Sequence, residues 1–210
     1  MALIPLADYP RVTVILRDVP QDAVEAIVTA IQDGHLDLAV EITRNSSNFH
    51  QIGRLVAEHP DVLVGAGTIL NLDDARQAAD MGCRFILSPV VLPADVIGFA
   101  HDAGMLTIPG AYTPTEVHAA VHNGADIVKL FPVRDLSPSY VRDIRAPLGP
   151  IPFMGVGGVS VANIPAMFDR GLEYIGIGSS LFGKQLDRMN TDAIAQTLTD
   201  LAILRPPTTR

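Results

Sequence analysis

The chain has 210 residues, a formal net charge of -8 and a single cysteine. Its length suits one domain with a sizeable core, and 48% hydrophobic residues with only 5% aromatics predict an aliphatic core. One cysteine excludes an internal disulfide framework, and the absence of a Lys/Arg cluster argues against nucleic acid as a partner.

Short apolar runs rich in β-forming residues alternate with helical stretches from one end of the chain to the other. The predicted strands are 12–17, 38–43, 62–67, 85–89, 106–110, 127–132, 151–158 and 174–179. The predicted helices begin near Pro20, Ser47, Asn71, Leu92, Thr113, Ser137, Ser160 and Leu186. Several end at glycines that suit the left-handed residue after a helix, namely Gly34, Gly82, Gly104, Gly124 and Gly171.

Eight strand–helix units predict parallel strands joined by right-handed crossovers. This number fits a closed barrel better than an open sheet. We therefore predict an α/β fold consisting of a single (β/α)8 TIM barrel over residues 1–210. Barrel enzymes carry their chemistry at the C-terminal ends of the strands. A polar residue that ends a strand is thus a candidate for function.

Polar residues end the first two predicted strands. Arg17 ends the first, and its planar guanidinium suits bidentate binding of a carboxylate. Arg44 and Asn45 follow the second. For all three, a salt bridge or polar contact at the barrel mouth is the alternative to a ligand contact.

Glu41 lies inside the second predicted strand. Strand alternation places it on one face with Ala39 and Thr43, and this small, polar face suits the barrel interior. A carboxylate there could shuttle protons. The alternative is that Glu41 only forms an ion pair with Lys129 or Arg17.

Lys129 lies in the apolar run 127–132, where an unpaired charge is costly to bury. Alternation puts it on one face with Ile127 and Phe131. Burial lowers the pKa of a lysine, and the neutral amine is the form that attacks a carbonyl. The local sequence leaves two alternatives open: a lysine reaching solvent, or one paired with a core carboxylate.

Glycine-rich segments end the last two predicted strands, at 155–160 and 176–180. Many barrels bind phosphate with the loops after strands seven and eight, where backbone N–H groups converge on an anion. Ser179 or Ser180 could add a hydroxyl. Ordinary glycine turns are the alternative. Phosphate binding here would let an acidic protein hold an anion with backbone dipoles and one or two arginines.

Other features favour a metal-free cytoplasmic protein. His118 and His122 have the spacing of two helical metal ligands, but the predicted helix is on the outside of the barrel and no glutamate occupies the motif position. We find no membrane-spanning stretch and no signal peptide. The single thiol, Cys83, fits a reducing compartment.

Five strand-end motifs occur in an order that identifies a family. They are Glu41, Gly65-Ala-Gly-Thr68, Ile108-Pro-Gly110, Lys129-Leu-Phe-Pro132 and Gly157-Gly158. Over nearly the whole chain they resemble the bacterial 2-keto-3-deoxy-6-phosphogluconate (KDPG) and 2-keto-3-deoxy-6-phosphogalactonate (KDPGal) aldolases. That family includes 4-hydroxy-2-oxoglutarate aldolases.

The resemblance implies a class I aldolase that releases pyruvate and glyceraldehyde 3-phosphate from a phosphorylated 2-keto-3-deoxy sugar acid. Lys129 would form the Schiff base and Glu41 would be the general acid/base, with no metal or other cofactor. Arg17 and Thr68 would bind the pyruvate carboxylate. The family also implies a homotrimer. The implied ligands of the distal phosphate are Gly157, Gly158, Gly178 and Ser179.

Two positions depart from the gluconate enzymes, which have arginine where this chain has Asn45 and threonine where it has Val156. Both look more like the galactonate type, and with Arg44 and Phe131 they form the predicted specificity set. Two other functions remain as alternatives. One is a phosphate-binding barrel isomerase or epimerase in which Lys129 acts only electrostatically. The other is a non-catalytic sugar-phosphate-binding barrel.

Overall fold

The structure is a computed structural model that describes residues 2–186 and 188–204; Met1, Asp187 and 205–210 of the predicted domain lie outside the described residues. The strands are β1 (Val12–Leu16), β2 (Ala39–Thr43), β3 (Leu63–Gly67), β4 (Phe85–Leu87), β5 (Leu106–Ile108), β6 (Gly110–Ala111), β7 (Val128–Leu130), β8 (Phe153–Val156) and β9 (Tyr174–Gly178). The helices are α1 (Gln21–Asp33), α2 (Ile52–Glu58), α3 (Leu72–Asp80), α4 (Ala94–Asp102), α5 (Pro114–His122), α6 (Tyr140–Leu148), α7 (Ile164–Asp169) and α8 (Thr191–Ala202).

All strand pairs are parallel, in the order β5-β4-β3-β2-β1-β9-β8-β7-β6. β5 and β6 are two pieces of the fifth barrel strand, interrupted at Pro109, which has no N–H to donate. The Pro109 carbonyl accepts from Lys129 N at 2.9 Å, and Gly110 N donates to Val90 O at 3.0 Å. The predicted (β/α)8 TIM barrel is therefore confirmed.

The buried apolar residues form two clusters on opposite faces of the barrel wall. The inner cluster includes Ile15, Ala39, Ile127 and Val156. The outer cluster packs between the strands and the helices, and β2 contributes Val40 and Ile42 to it. Because side chains alternate along a strand, Glu41 faces the barrel interior as predicted, and Lys129 lies on the same inner face as Ile127.

The N-terminal end of the barrel is filled by aromatic side chains. Tyr9 meets Phe85 and Tyr174 edge to face, with ring centroids 5.2 Å and 5.7 Å away. Its hydroxyl hydrogen-bonds to Thr13 Oγ1 at 2.9 Å. With this end packed, the space for a ligand lies at the opposite, C-terminal mouth.

Four of the five predicted helix stops are left-handed glycines. Their φ angles are 76° at Gly82, 82° at Gly104, 100° at Gly124 and 95° at Gly171. The prediction for Gly34 is wrong, because its φ is -81°. His35, with φ of 47°, takes the left-handed position one residue later. An imidazole tolerates this conformation better than most side chains do.

Some helices begin later than predicted. α2 begins at Ile52 rather than near Ser47, and α8 begins at Thr191 rather than near Leu186. Turns of 3-10 helix precede both, and the one before α8 contains a kink at Gly183. Such turns satisfy local hydrogen bonds before a regular helix starts. No helix of the described residues is both long and apolar enough to cross a membrane.

Candidate active site

A cavity of about 190 Å³ opens at the C-terminal mouth of the barrel. It brings together six of the predicted site residues with two apolar neighbours, and its lining is Ile15, Arg17, Glu41, Thr68, Pro89, Lys129, Phe131 and Val156. Larger depressions lie on the outer surface, such as one of about 630 Å³ between α1 and α8. The wall of that depression carries acidic and small residues rather than a buried amine.

Lys129 is 7% exposed, in the middle of β7. Its Nζ lies 4.9 Å from the centroid of the Phe131 ring. Burial lowers the pKa of Lys129; the Glu41 charge opposes this effect and the Arg17 charge adds to it. The cavity therefore favours the neutral, nucleophilic amine.

Glu41 is 2% exposed and lines the same cavity. Burial raises the pKa of Glu41 to about 7, against the opposing charges of Lys129 and Arg17. Its Oε1 has no hydrogen-bond partner among the residues that the structure describes. A carboxyl group that titrates near neutrality and keeps a free oxygen can both accept and donate a proton.

Gly67 makes room for the Glu41 carboxylate. A Cβ atom added at Gly67 would overlap the carboxylate of Glu41, which lies where that side chain would be. The sequence indicated close backbone approach to a ligand at this glycine-rich strand end. The structure adds a different requirement, since Gly67 accommodates the Glu41 side chain from the neighbouring strand.

Two residues at the mouth have a strained backbone. Thr68, directly after Gly67, has φ of 61°, and Asp18, directly after Arg17, has φ of 53°. A β-branched residue in the left-handed region is a genuine outlier, and such strain tends to occur at functional sites. Thr68 lies at the cavity wall, and Arg17 lines the cavity with its side chain exposed at the rim.

Arg44 and Asn45 are exposed and lie outside the lining of the cavity. Arg44 Nε forms an ion pair with Asp74 Oδ1 at 2.8 Å. The other oxygen of this buried carboxylate accepts from Leu70 N at 2.9 Å. Asp74 thereby joins the loop after β2 to the loop that carries Thr68. Specificity roles for Arg44 and Asn45 stay predictions.

The predicted phosphate ligands follow β8 and β9, the seventh and eighth barrel strands. Gly157 and Gly158 have φ of 88° and 85°, which glycine alone adopts easily. Gly178 has φ of -75°, and Ser179 begins a turn of 3-10 helix. Both are half-buried. The glycine pair forms a left-handed turn of the kind that can direct N–H groups at an anion.

Arg134 is a candidate phosphate ligand that the search of strand ends did not identify. Its N donates to Gly157 O at 3.0 Å, and a side chain at Gly158 would collide with its Cβ. Its side chain is 65% exposed, with a loose 3.8 Å contact to Asp135. Arg134 thus brings a cation beside the glycine pair. The feature of the sequence that could have indicated Arg134 is its position in the loop after the sixth predicted strand.

Possible metal ligands within residues 2–186 and 188–204 cluster away from the mouth. Glu25, Glu58 and His59 lie close enough to share an ion. The Arg54 guanidinium already bonds both of these carboxylates, at 2.6 Å each. A cation therefore already neutralises the charge that would attract a metal.

Comparison of the chain with known proteins finds aldolases both by sequence and by structure. A family model described as "Aldolase: KDPG and KHG aldolase" matches residues 6–197. The chain is 40% identical over 186 residues to the probable 2-dehydro-3-deoxy-6-phosphogalactonate aldolase of Rhizobium meliloti (strain 1021), covering 87% of each. It is 36% identical over 186 residues to the 2-dehydro-3-deoxy-6-phosphogalactonate aldolase of Escherichia coli (strain K12), covering 86% of this chain and 90% of the other. A solved "Native KDPGal structure" superimposes with a TM-score of 0.79 and 32% identity, over 97% of this chain and 99% of the other.

Proposed function

Because the chain belongs to the KDPG and KHG aldolase family, we propose that it is a class I aldolase acting through a Schiff base on Lys129. It cleaves a 2-keto-3-deoxy-6-phospho sugar acid reversibly to pyruvate and glyceraldehyde 3-phosphate. The observation that carries this proposal is the burial of Lys129 and Glu41 in one cavity at the barrel mouth.

The reaction begins when the neutral amine of Lys129 attacks C2 of the keto acid. Loss of water from the resulting carbinolamine, with protons moved by Glu41, gives an iminium ion. The C4 hydroxyl then loses its proton to Glu41, directly or through water, while the C3–C4 electron pair moves into the iminium. Glyceraldehyde 3-phosphate leaves, the enamine is protonated at C3, and hydrolysis releases pyruvate and the amine.

The two ends of the substrate carry negative charge. Arg17 and Thr68 bind the pyruvate carboxylate at the cavity wall. Gly157, Gly158, Gly178 and Ser179 bind the distal phosphate, with Arg134 supplying the positive charge that the glycines lack. This arrangement suits a protein of net charge -8, because cations are needed only at the two ends of one ligand.

Borohydride reduction in the presence of pyruvate tests the proposal, because it converts the iminium into a stable amine. The sequence contains two lysines, Lys129 and the exposed Lys184 on a 3-10 turn, so peptide mass analysis assigns the adduct without ambiguity. We expect the modification on Lys129 alone. K184M should retain trapping and activity, whereas K129M should lose both.

An unmodified Lys129 in the active wild type would contradict the proposal. That result would favour a phosphate-binding isomerase or epimerase, in which the lysine acts only electrostatically. If the folded wild type shows neither cleavage nor trapping, the result would favour a non-catalytic sugar-phosphate-binding barrel.

We propose the galactonate-type acid as the preferred substrate. Support comes from the two relatives named as phosphogalactonate aldolases, at 40% and 36% identity, and from Asn45 and Val156. The two acids differ in configuration at C4, the carbon whose hydroxyl is deprotonated during cleavage. Phe131 and Val156 line the cavity in which this carbon reacts.

Substrate preference is tested by comparing kcat/KM for the two acids. We expect the wild type to favour the galactonate acid, and V156T, which changes one methyl to a hydroxyl, to shift the ratio towards the gluconate acid. V64T is a matched control, because Val64 is buried in the outer cluster away from the cavity. Equal wild-type preference, or the same shift in both variants, would contradict the assignment.

We also propose a homotrimer, as the family resemblance implies. Four large apolar side chains are exposed in the loops after consecutive strands at one side of the mouth, at 38–49% of their surface. We call them the rim patch, and they are Leu70, Val90, Tyr112 and Phe131. A subunit contact over the rim patch would remove this apolar surface from water.

Sedimentation velocity tests the assembly. The wild type should sediment as a trimer, and V90D should dissociate because it places a charge within the rim patch. I203D is the control, since Ile203 is 73% exposed beyond the C-terminal end of α8. A monomeric wild type, or trimeric V90D, would argue against this interface.

A further inference from the structure

Thr43 is a buried polar residue that the mechanism above does not use. It is the last residue of β2 and is 1% exposed. Its hydroxyl oxygen has no hydrogen-bond partner within the described part of the chain. Leaving a buried hydroxyl unpaired costs free energy, so such a group in a native protein calls for a physical explanation.

The strand register places Thr43 beside the Glu41 carboxylate. Thr43 lies two residues beyond Glu41, on the same inner face, and pairs with Gly67 of β3. The carboxylate lies over Gly67, where that residue's side chain would be. Because neighbouring strands are about 4.8 Å apart, the Thr43 side chain is roughly one strand spacing from the carboxylate.

Such a spacing is too long for a direct hydrogen bond and suits one water molecule between the two groups, at about 2.8 Å from each. Glu41 Oε1 is likewise without a partner among the described side chains. Two neighbouring buried oxygens without protein partners supply two of the two to four polar partners that a buried water needs.

We propose that Thr43 is a positioning residue, whose hydroxyl, together with Glu41 Oε1, holds the water through which Glu41 exchanges protons with the substrate. This role rests on the proposed function. In cleavage, the C4 hydroxyl passes its proton to the water as the water passes one of its own to the carboxylate. The water is restored and Glu41 becomes the carboxylic acid. Protonation of the enamine at C3 reverses the transfer.

The test compares T43S with T43A, which differ by one oxygen atom. We expect T43A to lower kcat for cleavage at least about tenfold, part of the 10²–10⁴-fold that positioned proton transfer contributes, with KM changed less than about twofold. Exchange of the pyruvate methyl hydrogens with deuterated solvent should slow in parallel. T43S should stay near the wild type, and borohydride trapping should persist in both variants.

Thr13 provides the matched control. It is a fully buried threonine on the inner face nearer the packed end, and its hydroxyl already bonds Tyr9. T13A should lower thermal stability and leave kcat and hydrogen exchange unchanged. If T43A is unfolded at the assay temperature, T43V removes the same hydroxyl while keeping the side-chain volume.

Equal kcat and equal exchange in T43A and T43S would overturn the role of Thr43. If wild-type Lys129 traps pyruvate in that experiment, the proposed function stands and only the positioning role fails. If the wild type neither traps pyruvate nor exchanges its methyl hydrogens, the proposed function fails and the role of Thr43 fails with it.

Discussion

Glu41 and Lys129 show how burial in one cavity shifts the pKa values of an acid and an amine in opposite directions. Burial raises the pKa of the Glu41 carboxyl and lowers the pKa of the Lys129 amine, because it disfavours the charged form of each. Each charge partly offsets the effect on its neighbour. Burial thus favours the neutral amine of Lys129 and gives Glu41 a carboxyl group that titrates near neutrality.

A glutamine at position 41 should change how stability depends on pH. The pKa of Glu41 is about 7 in the folded protein against an ordinary 4.5, so between these values the folded state holds a proton that the unfolded state has lost. The stability that this bound proton contributes is fully present below pH 4.5 and is lost as the pH rises towards 7. We expect E41Q to gain thermal stability relative to the wild type from pH 5 to pH 8, while losing aldolase activity. A difference in melting temperature that does not vary with pH would refute this expectation.

Alanine at position 67 should impair catalysis by displacing the Glu41 side chain, although Gly67 itself takes no part in the reaction. The added Cβ overlaps the Glu41 carboxylate, which must move from its place over β3. We expect G67A to lower kcat by about 10²-fold or more, comparable with loss of a positioned acid/base.

Gly98 provides the control for that substitution. It lies in α4, and a Cβ there meets nothing within 4 Å. G98A should stabilise the protein by about 0.5–1 kcal/mol through helix propensity and leave kcat unchanged. Comparable activity in G67A and G98A would show that Glu41 does not depend on the space above Gly67.

At the scale of elements, the eight strands were predictable because their apolar runs are bounded by turn residues. The predicted ends at Pro89, Pro132 and Gly158 extend beyond the observed strands. Apolar and small residues continue there, but proline cannot donate to the ladder and the glycine turns left-handed. Periodicity predicts which face of the sheet a side chain occupies, but local hydrogen bonds determine where the strand ends.

Much of the candidate site could also be predicted from strand ends, since six predicted residues meet in one cavity. The partner of Arg44 could not, because Asp74 lies in α3, 30 positions along the chain, and only the fold brings the two together. The same holds for Gly67, whose need for glycine comes from a side chain on the adjacent strand. Long-range contacts of this kind leave no periodic signal.

The loop after β7 should contribute to recognition of the phosphorylated end of the substrate. Charge-assisted hydrogen bonds contribute about 1.5–3 kcal/mol, and exposure of Arg134 reduces this, so we expect R134M to raise KM for the phosphorylated acid several-fold. KM for pyruvate in the reverse reaction should not change, because pyruvate has no phosphate. R142M, which removes an exposed arginine from α6, is the control. An equal rise for pyruvate would exclude a role at the phosphate.

At the scale of the whole molecule, the two ends of the barrel have different tasks. The C-terminal mouth carries a strained backbone and buried ionisable groups, whereas the opposite end is filled by Tyr9, Phe85 and Tyr174. In barrel enzymes the C-terminal face carries activity and the other face carries stability.

Substitutions of Tyr9 should therefore affect stability alone. Y9F removes the hydrogen bond to Thr13, for an expected loss of about 1 kcal/mol in the free energy of unfolding. Y9A also removes a buried ring, which costs about 3–5 kcal/mol. Urea denaturation measures both losses, and kcat/KM of the folded variants should match the wild type. A reduced kcat/KM in folded Y9F would show that the two ends are coupled.

The aromatic packing of the closed end also gives the protein an optical property. The chain has no tryptophan and four tyrosines, so its intrinsic fluorescence comes from tyrosine. Tyr9 and Tyr174 lie in contact at the closed end, while the Tyr140 hydroxyl donates to the Tyr112 carbonyl beside the mouth. Tyr9 and Tyr174 thus report on the packed N-terminal end of the barrel, and Tyr112 and Tyr140 report on the C-terminal mouth. Comparing Y9F and Y112F spectra during ligand titration would separate opening of the fold from occupancy of the mouth.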